Sequence, residues 1–283
     1  MIELGPFRLD LISDGYFEDE ADTFVRRCAE IHSAPRLNVR SKSRVRVGFN
    51  SLLIRGNGRT VVVDPGTGDK PRPDKVSAYT LQWPRQFFPA LASLKVRPED
   101  VDLVILTHLH WDHAGACTRL DAHADIVPSF PNARYVVQER EVTAARQDIA
   151  AGDLGSYMPD DFEPLLGMGR LELLNGDAHL LPGISVRWVN GHCAGLQTVQ
   201  IAEAGSAGAI YLSDLIPTSA QIPLDCYLSY DHDIAHLTAE KERALAEAAR
   251  RRDLLLFVHA PRLRAGYLLP RADGSYGLDS VTI

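Results

Sequence analysis

The 283-residue sequence is poor in cysteine and contains no long apolar run. The cysteines lie far apart and form no C-x-x-C pair, so their spacing excludes a zinc knuckle and a dithiol redox motif. We therefore expect reduced thiols. No stretch of about 18 consecutive apolar residues occurs, so we expect no transmembrane helix. The four positions are Cys28, Cys117, Cys193 and Cys226.

The chain also lacks a surplus of positive charge. It carries 30 Lys and Arg residues against 37 Asp and Glu residues, which gives a formal net charge of -7. Because phosphate binding depends on a surplus of basic side chains, we expect no nucleic-acid partner. The N-terminus has neither the basic start nor the apolar core of a secretory signal. A cytoplasmic protein without a membrane partner is the resulting expectation.

The order of the predicted elements is strand-rich at the start and mixes strands with helices after it. Strand patterns at residues 50–55 and 60–64 flank Gly56, Asn57 and Gly58, which predicts a β-hairpin. No internal repeat, low-complexity segment or linker interrupts the chain, so we expect one domain over residues 1–283. Further patterns predict a buried strand at residues 101–107 and helices at residues 84–94, 139–150 and 239–252.

Residues 70–85 form a predicted excursion that is rich in proline and charge. It carries the aromatic residues Tyr79 and Trp83. Because long loops in compact domains are often functional, we expect this segment to act either as a lid or as a dimer contact. A homodimer is therefore one possible assembly.

One short run carries most of the chemistry in this sequence. His108, His110, Asp112 and His113 fall within six residues, directly after the predicted buried strand. Imidazole and carboxylate groups together suit zinc and related divalent ions. A turn after the strand can direct the first two histidines to one metal, and Asp112 with His113 to a second. Ordinary polar loop residues are a poor alternative account of so dense a cluster.

Three further candidates follow apolar strands elsewhere in the chain, namely His192, Asp214 and His259. Strand ends can converge on one edge of a sheet assembly, which brings distant sequence positions together. Asp214 has two carboxylate oxygens and can bridge two ions. The three residues together complete the coordination that the short run leaves open, so the sequence predicts a two-metal centre.

The order of these ligands resembles the signature of the metallo-β-lactamase superfamily. That signature is a His-x-His-x-Asp-His run, then a His in a Gly-His turn, an Asp and a final His, and it covers roughly residues 45–265 of this chain. The resemblance implies an α/β (α+β) fold. The expected architecture is an αββα sandwich, in which two mixed β-sheets pack face to face with helices outside.

Finer motifs resemble the quorum-quenching N-acyl-homoserine lactonases and their methyl-parathion-hydrolase relatives. They include Asp64 to Lys70, Thr107 to Gly115 and Leu212 to Thr218. The resemblance implies two divalent ions, with zinc expected and manganese, iron or cobalt as alternatives. It places His108, His110 and His192 on one metal and Asp112, His113 and His259 on the other, with Asp214 bridging.

The implied activity is hydrolytic opening of a lactone ring by a metal-bound hydroxide, with Asp112 orienting the hydroxide and passing a proton to the leaving oxygen. The substrate is thus a small ester or lactone. Candidates for substrate contact are Trp111, Tyr227 and Tyr230. Four departures from the lactonase pattern leave a phosphotriesterase or aryl esterase, or a β-lactamase, as alternatives. These departures are the stretch Asp14 to Asp19, Leu196, Pro217 and Ala260.

Overall fold

Two large mixed β-sheets face each other across an apolar interior. The computed structural model describes residues 1–24, 38–41, 44–72, 74–75, 79–82, 85–153, 155–203 and 205–282. No helix in these ranges combines the length and the apolar character that a membrane span requires.

Strands outnumber helices in the described part of the chain. The strands are β1 (Ile2–Leu4), β2 (Phe7–Glu20), β3 (Asn38–Ser41), β4 (Arg44–Gly56), β5 (Arg59–Val63), β6 (Leu103–Ile105), β7 (Thr118–Leu120), β8 (Ile126–Pro128), β9 (Arg134–Gln138), β10 (Leu171–Leu174), β11 (Ala178–Leu181), β12 (Ile184–Trp188), β13 (Gln197–Ile201), β14 (Ala209–Tyr211), β15 (Leu254–Leu256), β16 (Ala265–Pro270) and β17 (Tyr276–Val281). The helices are α1 (Ala21–Phe24), α2 (Phe87–Ser93), α3 (Trp111–Ala114), α4 (Glu139–Ala150), α5 (Pro159–Gly167) and α6 (Ile234–Arg251).

The first sheet has the strand order β1-β2-β4-β5-β6-β9-β10, with β3 paired to β4. The second has the order β11-β12-β13-β14-β15-β16-β17. Parallel pairs, such as β5 with β6 and β14 with β15, lie beside antiparallel hairpins in both sheets. Each sheet is therefore mixed, as the family resemblance implied.

The predicted hairpin is confirmed as β4 and β5. Gly56 pairs with Arg59, which leaves a loop of Asn57 and Gly58. Both loop residues have positive φ, at 51° and 70°. A two-residue turn of this kind matches the right-handed twist of the strands, and it favours Asn-Gly because both positions are left-handed.

Apolar side chains from both sheets meet between them. Buried residues of β5 and β6, such as Val63 and Ile105, share one cluster with Val199, Tyr211 and Leu256 of the second sheet. Removal of this surface from water is the main force that holds the sheets together.

Helices cover the outer face of each sheet. Residues of α2, α4 and α5, including Leu91, Val142 and Phe162, pack in a cluster with the outward side chains of the first sheet. Leu237 and Leu245 of α6 do the same for the second sheet. The prediction of an αββα sandwich is confirmed.

Two local predictions need correction. Helix α6 begins at Ile234 rather than at residue 239, because Asp233 caps it and accepts a hydrogen bond from the His236 amide. Cys117 and Cys193 are buried free thiols, but Cys226 is disulfide-bonded, so the expectation of reduced thiols is wrong there. Sequence spacing did not reveal this, since disulfide pairing depends on distances in the fold.

The predicted excursion at residues 70–85 is described only in part. Residues 73, 76–78, 83 and 84 lie outside the described ranges, and Trp83 is among them. Its assignment as a lid or a dimer contact stays a prediction.

Candidate metal centre

Side chains that follow four strands gather at one edge of the sandwich. His108 follows β6 at the end of the buried segment, and His110 immediately precedes α3. His192, Asp214 and His259 come after β12, β14 and β15. Because each strand ends at this edge, residues up to about half the chain apart become neighbours.

Four of these side chains form what we call the first ligand group, and all four are buried. Their possible ligand atoms lie within 4.8 Å of one another. The Nε2 atom of His192 is 3.2 Å from Oδ2 of Asp214 and 3.1 Å from Nδ1 of His110. The members are His108, His110, His192 and Asp214.

Asp112, His113 and His259 form the second ligand group, again with ligand atoms within 4.8 Å of one another. His259 Nε2 lies 3.6 Å from Oδ2 of Asp112 and 3.1 Å from Oδ1 of Asp214. Asp214 therefore presents Oδ1 to His259, while its Oδ2 lies 3.2 Å from His192 Nε2 of the first group and 3.6 Å from His113 Nε2 of the second. Its carboxylate thus stands between the two groups, as a bridging ligand must.

Several polar atoms of these groups have no hydrogen-bond partner despite their burial. They are Nε2 of His108, Nε2 of His113 and Oδ1 of Asp214. Buried polar atoms are normally hydrogen-bonded, so three unpaired atoms in one cluster indicate a site for a ligand. Imidazole nitrogens and carboxylate oxygens are the donors that zinc and similar ions take. The residues present thus fit a pair of divalent cations.

The other ring nitrogen of three histidines is held by a hydrogen bond. His113 Nδ1 is 2.9 Å from Oδ2 of Asp64, and His192 Nδ1 is 2.7 Å from Oδ1 of Asp231. His259 Nδ1 is 2.8 Å from the Gly48 carbonyl oxygen. Such contacts fix the tautomer and the orientation of a ligating ring.

Thr107 links both sheets beneath the ligands. Its Oγ1 lies 3.1 Å from His108 Nδ1, 2.6 Å from Asp64 Oδ2 and 2.7 Å from Ser213 Oγ. Asp64 and Ser213 have φ values of 47° and 48°, which non-glycine residues rarely adopt. Backbone strain of this kind clusters at functional sites, where the surrounding contacts hold it in place.

Electrostatics give His108, His110 and Asp214 the protonation states that metal binding requires. The raised pKa values of His113 and His192 mean instead that a metal must displace a proton from these rings. Burial and the neighbouring imidazoles lower the pKa of His108 and His110 well below the usual value, so both rings are neutral. Burial opposes a charge on His113, but the carboxylates around it outweigh burial and raise its pKa well above the usual value. Burial likewise opposes a charge on Asp214, yet the surrounding histidines hold its pKa well below the usual range. Asp214 is therefore a carboxylate, and a cation would displace the proton of His113.

A cavity of about 270 Å³ opens onto both ligand groups. One side is aromatic, formed by Phe17, Tyr79 and Trp111. The Tyr79 and Trp111 rings stack with centroids 5.8 Å apart. The polar residues of the lining include Asp112, Asp153, Ser156 and Tyr230.

The structure separates the two tyrosines that the sequence offered for substrate contact. Tyr230 lines the cavity, and its ring centroid lies 6.2 Å from that of His192. Tyr230 as a residue is 40% exposed, but desolvation of its hydroxyl in the cavity and the nearby carboxylates raise the pKa of that hydroxyl well above the usual value, so it keeps its proton. Tyr227 packs instead against the apolar cluster beneath α6. Trp111, the third candidate for substrate contact, lies in the cavity wall.

Sequence reasoning missed several residues of the site. Asp64 begins a motif that the sequence analysis singled out, and Asp231 directly follows the candidate Tyr230, yet neither was assigned a contact with a histidine. Phe17 and Asp19 alternate with exposed or half-buried neighbours on β2. Asp19 is buried, and its Oδ2 has no hydrogen-bond partner. The alternation along β2 was the only signal that could have indicated these two side chains.

The profile described as "Metallo-beta-lactamase superfamily" matches residues 46–259, a span that contains every member of both ligand groups. The N-acyl homoserine lactonase AiiB of Rhizobium rhizogenes is 27% identical over 200 residues. The AiiB protein of Agrobacterium fabrum gives the same identity and length. Each alignment covers 66% of this chain, and the chain spans 66% of the length of these relatives.

Solved structures show the same fold. A probable metal-dependent hydrolase from Staphylococcus aureus superposes with a TM-score of 0.85 at 21% identity, with 100% of both chains covered. AidC, a dizinc quorum-quenching lactonase in complex with its product, gives a TM-score of 0.75 at 20% identity and covers 100% of this chain and 97% of its own.

Proposed function

Because the chain belongs to the metallo-beta-lactamase superfamily, we propose that it is a lactonase acting on N-acyl-homoserine lactones. The match to this superfamily also confirms the resemblance predicted from the sequence. The observation that carries the proposal is the position of Asp214 between two histidine groups at the floor of a cavity. The lactonase relatives support the substrate class. We propose further that residues 1–283 act as a single hydrolytic domain.

We propose that the two ligand groups hold two divalent ions, with zinc as the expected metal. His108, His110 and His192 would hold one, Asp112, His113 and His259 the other, and Asp214 both. When bound, such a pair polarises a carbonyl group and lowers the pKa of a coordinated water towards 7. The dizinc content of AidC supports zinc.

Asp112 is the proposed proton carrier. It lines the cavity, and its side chain is 13% exposed, so it reaches both the second ligand group and a bound substrate. Its carboxylate takes a proton from the attacking water. It then gives that proton to the ring oxygen as the carbonyl carbon–oxygen bond of the lactone breaks. The product carries a carboxylate and a free hydroxyl.

The cavity walls are suited to the two ends of an acyl-homoserine lactone. The protonated hydroxyl of Tyr230 is positioned to donate a hydrogen bond to a substrate carbonyl near His192. The stacked rings of Tyr79 and Trp111 offer an apolar surface for the acyl chain. Tyr227 has no part in this proposal, because it packs under α6.

A phosphotriesterase or aryl esterase is the second candidate. One observation favours it: Pro217 stands three residues after Asp214, where some homoserine lactonases have a tyrosine. An aromatic wall also suits an aryl leaving group.

The test compares ring opening of acyl-homoserine lactones with hydrolysis of an aryl phosphotriester, using the metal-loaded protein. We expect faster lactone opening, loss of activity after chelation and recovery after zinc is returned. The Asp112→Asn variant should lose at least about 100-fold in kcat, and its metal content is measured alongside because Asp112 is also a proposed ligand. Fast phosphotriester turnover without ring opening would instead support the second candidate.

A further inference from the structure

We propose that Glu141, which is not a member of either ligand group, is a positioning residue that sets the spacing of the first ligand group. This inference rests on the proposed two-metal hydrolase. Glu141 lies in the first turns of α4 and has no solvent exposure. Within the described ranges it forms no salt bridge, so hydrogen-bond donors alone compensate for the burial of its carboxylate.

The carboxylate of Glu141 joins the two loops that carry the histidines of the first group. Its Oε1 accepts a hydrogen bond from the Leu109 amide at 3.1 Å, between His108 and His110. Its Oε2 accepts one from the Gly195 amide at 2.9 Å, in the loop that follows His192. A single side chain thus fixes the separation of two loops that are distant in sequence.

A third donor connects Glu141 to the side of His110. The Tyr157 hydroxyl donates to Oε1 of Glu141 at 3.1 Å. Tyr157 also forms an isolated β-bridge with His110, and the two rings lie 4.9 Å apart. The position of the His110 ring is therefore coupled to Glu141 through both the backbone and an aromatic contact.

The loop after His192 approaches α4 so closely that only glycine fits. A Cβ atom built at Gly195 would lie 2.3 Å from Cβ of Glu141 and 2.7 Å from its backbone nitrogen. Real side chains do not tolerate such contacts. This close packing leaves the Gly195 amide no room to turn to another acceptor.

These donors, together with the Cys193 thiol, which also hydrogen-bonds the Glu141 side chain, require a carboxylate rather than an amide. An ionised Glu has only acceptor sites on both oxygens, whereas Gln has one oxygen and a donating NH₂ group. In a Glu141→Gln variant, one loop amide would therefore face a donor and remain unpaired in the interior. Glu141→Asp keeps the charge and both acceptors but shortens the side chain.

The second ligand group has separate supports. His113 is held by Asp64, and His259 by the Gly48 carbonyl oxygen. Neither contact involves α4. Loss of the Glu141 carboxylate should thus weaken one of two metal sites and leave the other, a pattern that a general loss of stability would not produce.

The experiment titrates metal-free protein with Co²⁺ and follows its visible absorption, which reports coordination at each site. Wild type should bind two ions. Glu141→Gln should bind one ion with nearly wild-type affinity and the other about 10–100-fold more weakly. Glu141→Asp should lose less than Glu141→Gln. The matched control is Glu139→Gln, which removes the same charge from an exposed position in the same helix and should behave as wild type.

Other outcomes would overturn the inference. The inference fails if Glu141→Gln binds two ions as wild type does, or if both of its sites are weakened equally. It also fails if Glu141→Asp loses more metal affinity than Glu141→Gln, because that result would indicate that only the shape of the side chain matters. Should Glu141→Gln fail to fold by circular dichroism, Tyr157→Phe, which removes one donor to Glu141 while the charge remains, must weaken the same site and leave the other unchanged. Wild type that binds no metal would refute the proposed function itself.

Discussion

The Nδ1 atom of His192 lies 2.7 Å from Oδ1 of Asp231, and the two side chains are 0% and 1% exposed. Asp231 Oδ2 also accepts a hydrogen bond from the Leu228 amide at 2.7 Å, which fixes the carboxylate. With its Nδ1 held in this way, His192 directs Nε2 towards Asp214. A residue outside the ligand groups therefore determines which nitrogen is available to a metal.

Asp231→Asn should weaken metal binding at the first ligand group about 10–100-fold, because the amide is a poorer acceptor for the His192 ring. Zinc content after dialysis against a graded series of chelator concentrations measures this. Asp279→Asn, at an exposed position of β17, is the matched control. Unchanged zinc retention in Asp231→Asn would contradict the role given to this contact.

Tyr230→Phe should lower kcat/KM for lactone opening about 10-fold, which corresponds to one lost hydrogen bond of about 1.4 kcal/mol in the transition state. Tyr227→Phe removes the same hydroxyl from a tyrosine that packs under α6, and it should change kcat/KM less than about 2-fold. Steady-state kinetics of both variants give the two kcat/KM values for comparison. If the two variants lose equally, Tyr230 has no special contact with substrate.

Lys241 should make stability increase with pH above about 8. Burial lowers the pKa of Lys241 from 10.5 to about 8 in the folded state, while its ammonium donates to the carbonyl oxygens of Pro223 and Cys226. Between pH 8 and pH 10.5 the unfolded chain binds more protons than the folded chain. The free energy of unfolding therefore rises with pH, by up to about 3 kcal/mol in total.

Urea unfolding at pH 8, 9 and 10 tests this expectation. The stability of wild type relative to Lys241→Met should increase across the series. The stability of wild type relative to Lys95→Met, a variant at an exposed position, should stay constant across the same series. A constant difference for Lys241→Met as well would show that its pKa is not lowered.

Gly58→Ala should destabilise the fold by about 1 kcal/mol without changing activity. Gly58 has a φ of 70°, and a Cβ there would meet nothing within 4 Å, so the cost comes only from the left-handed backbone. Gly167→Ala is the matched control, because it also has open space but no positive φ. In thermal unfolding, the midpoint temperature of Gly58→Ala should be lower than that of wild type, and the midpoint of Gly167→Ala should be equal to it or higher.

Local patterns predicted the elements whose signals lie within a few residues. The helix at Glu139–Ala150 has the predicted bounds, and the β4–β5 hairpin follows from its Asn57-Gly58 turn. The predicted start of α6 was too late in the sequence. The helix is capped by Asp233, whose amide donates a hydrogen bond to the Gly191 carbonyl oxygen, and that contact is distant in sequence. The disulfide bond of Cys226 had no local signal at all.

The amino-acid sequence was enough to predict which metal-binding groups are available. The spacing of His108, His110, Asp112 and His113 is local, so the identity and order of these donors could be read directly. How the donors are held depends on contacts that exist only in the folded chain. Asp64, Glu141 and Asp231 reach histidines or their loops from distant parts of the chain, and no pattern along the sequence encodes those distances. The two sheets bring them together because burial of their shared apolar faces brings the strand ends to one edge.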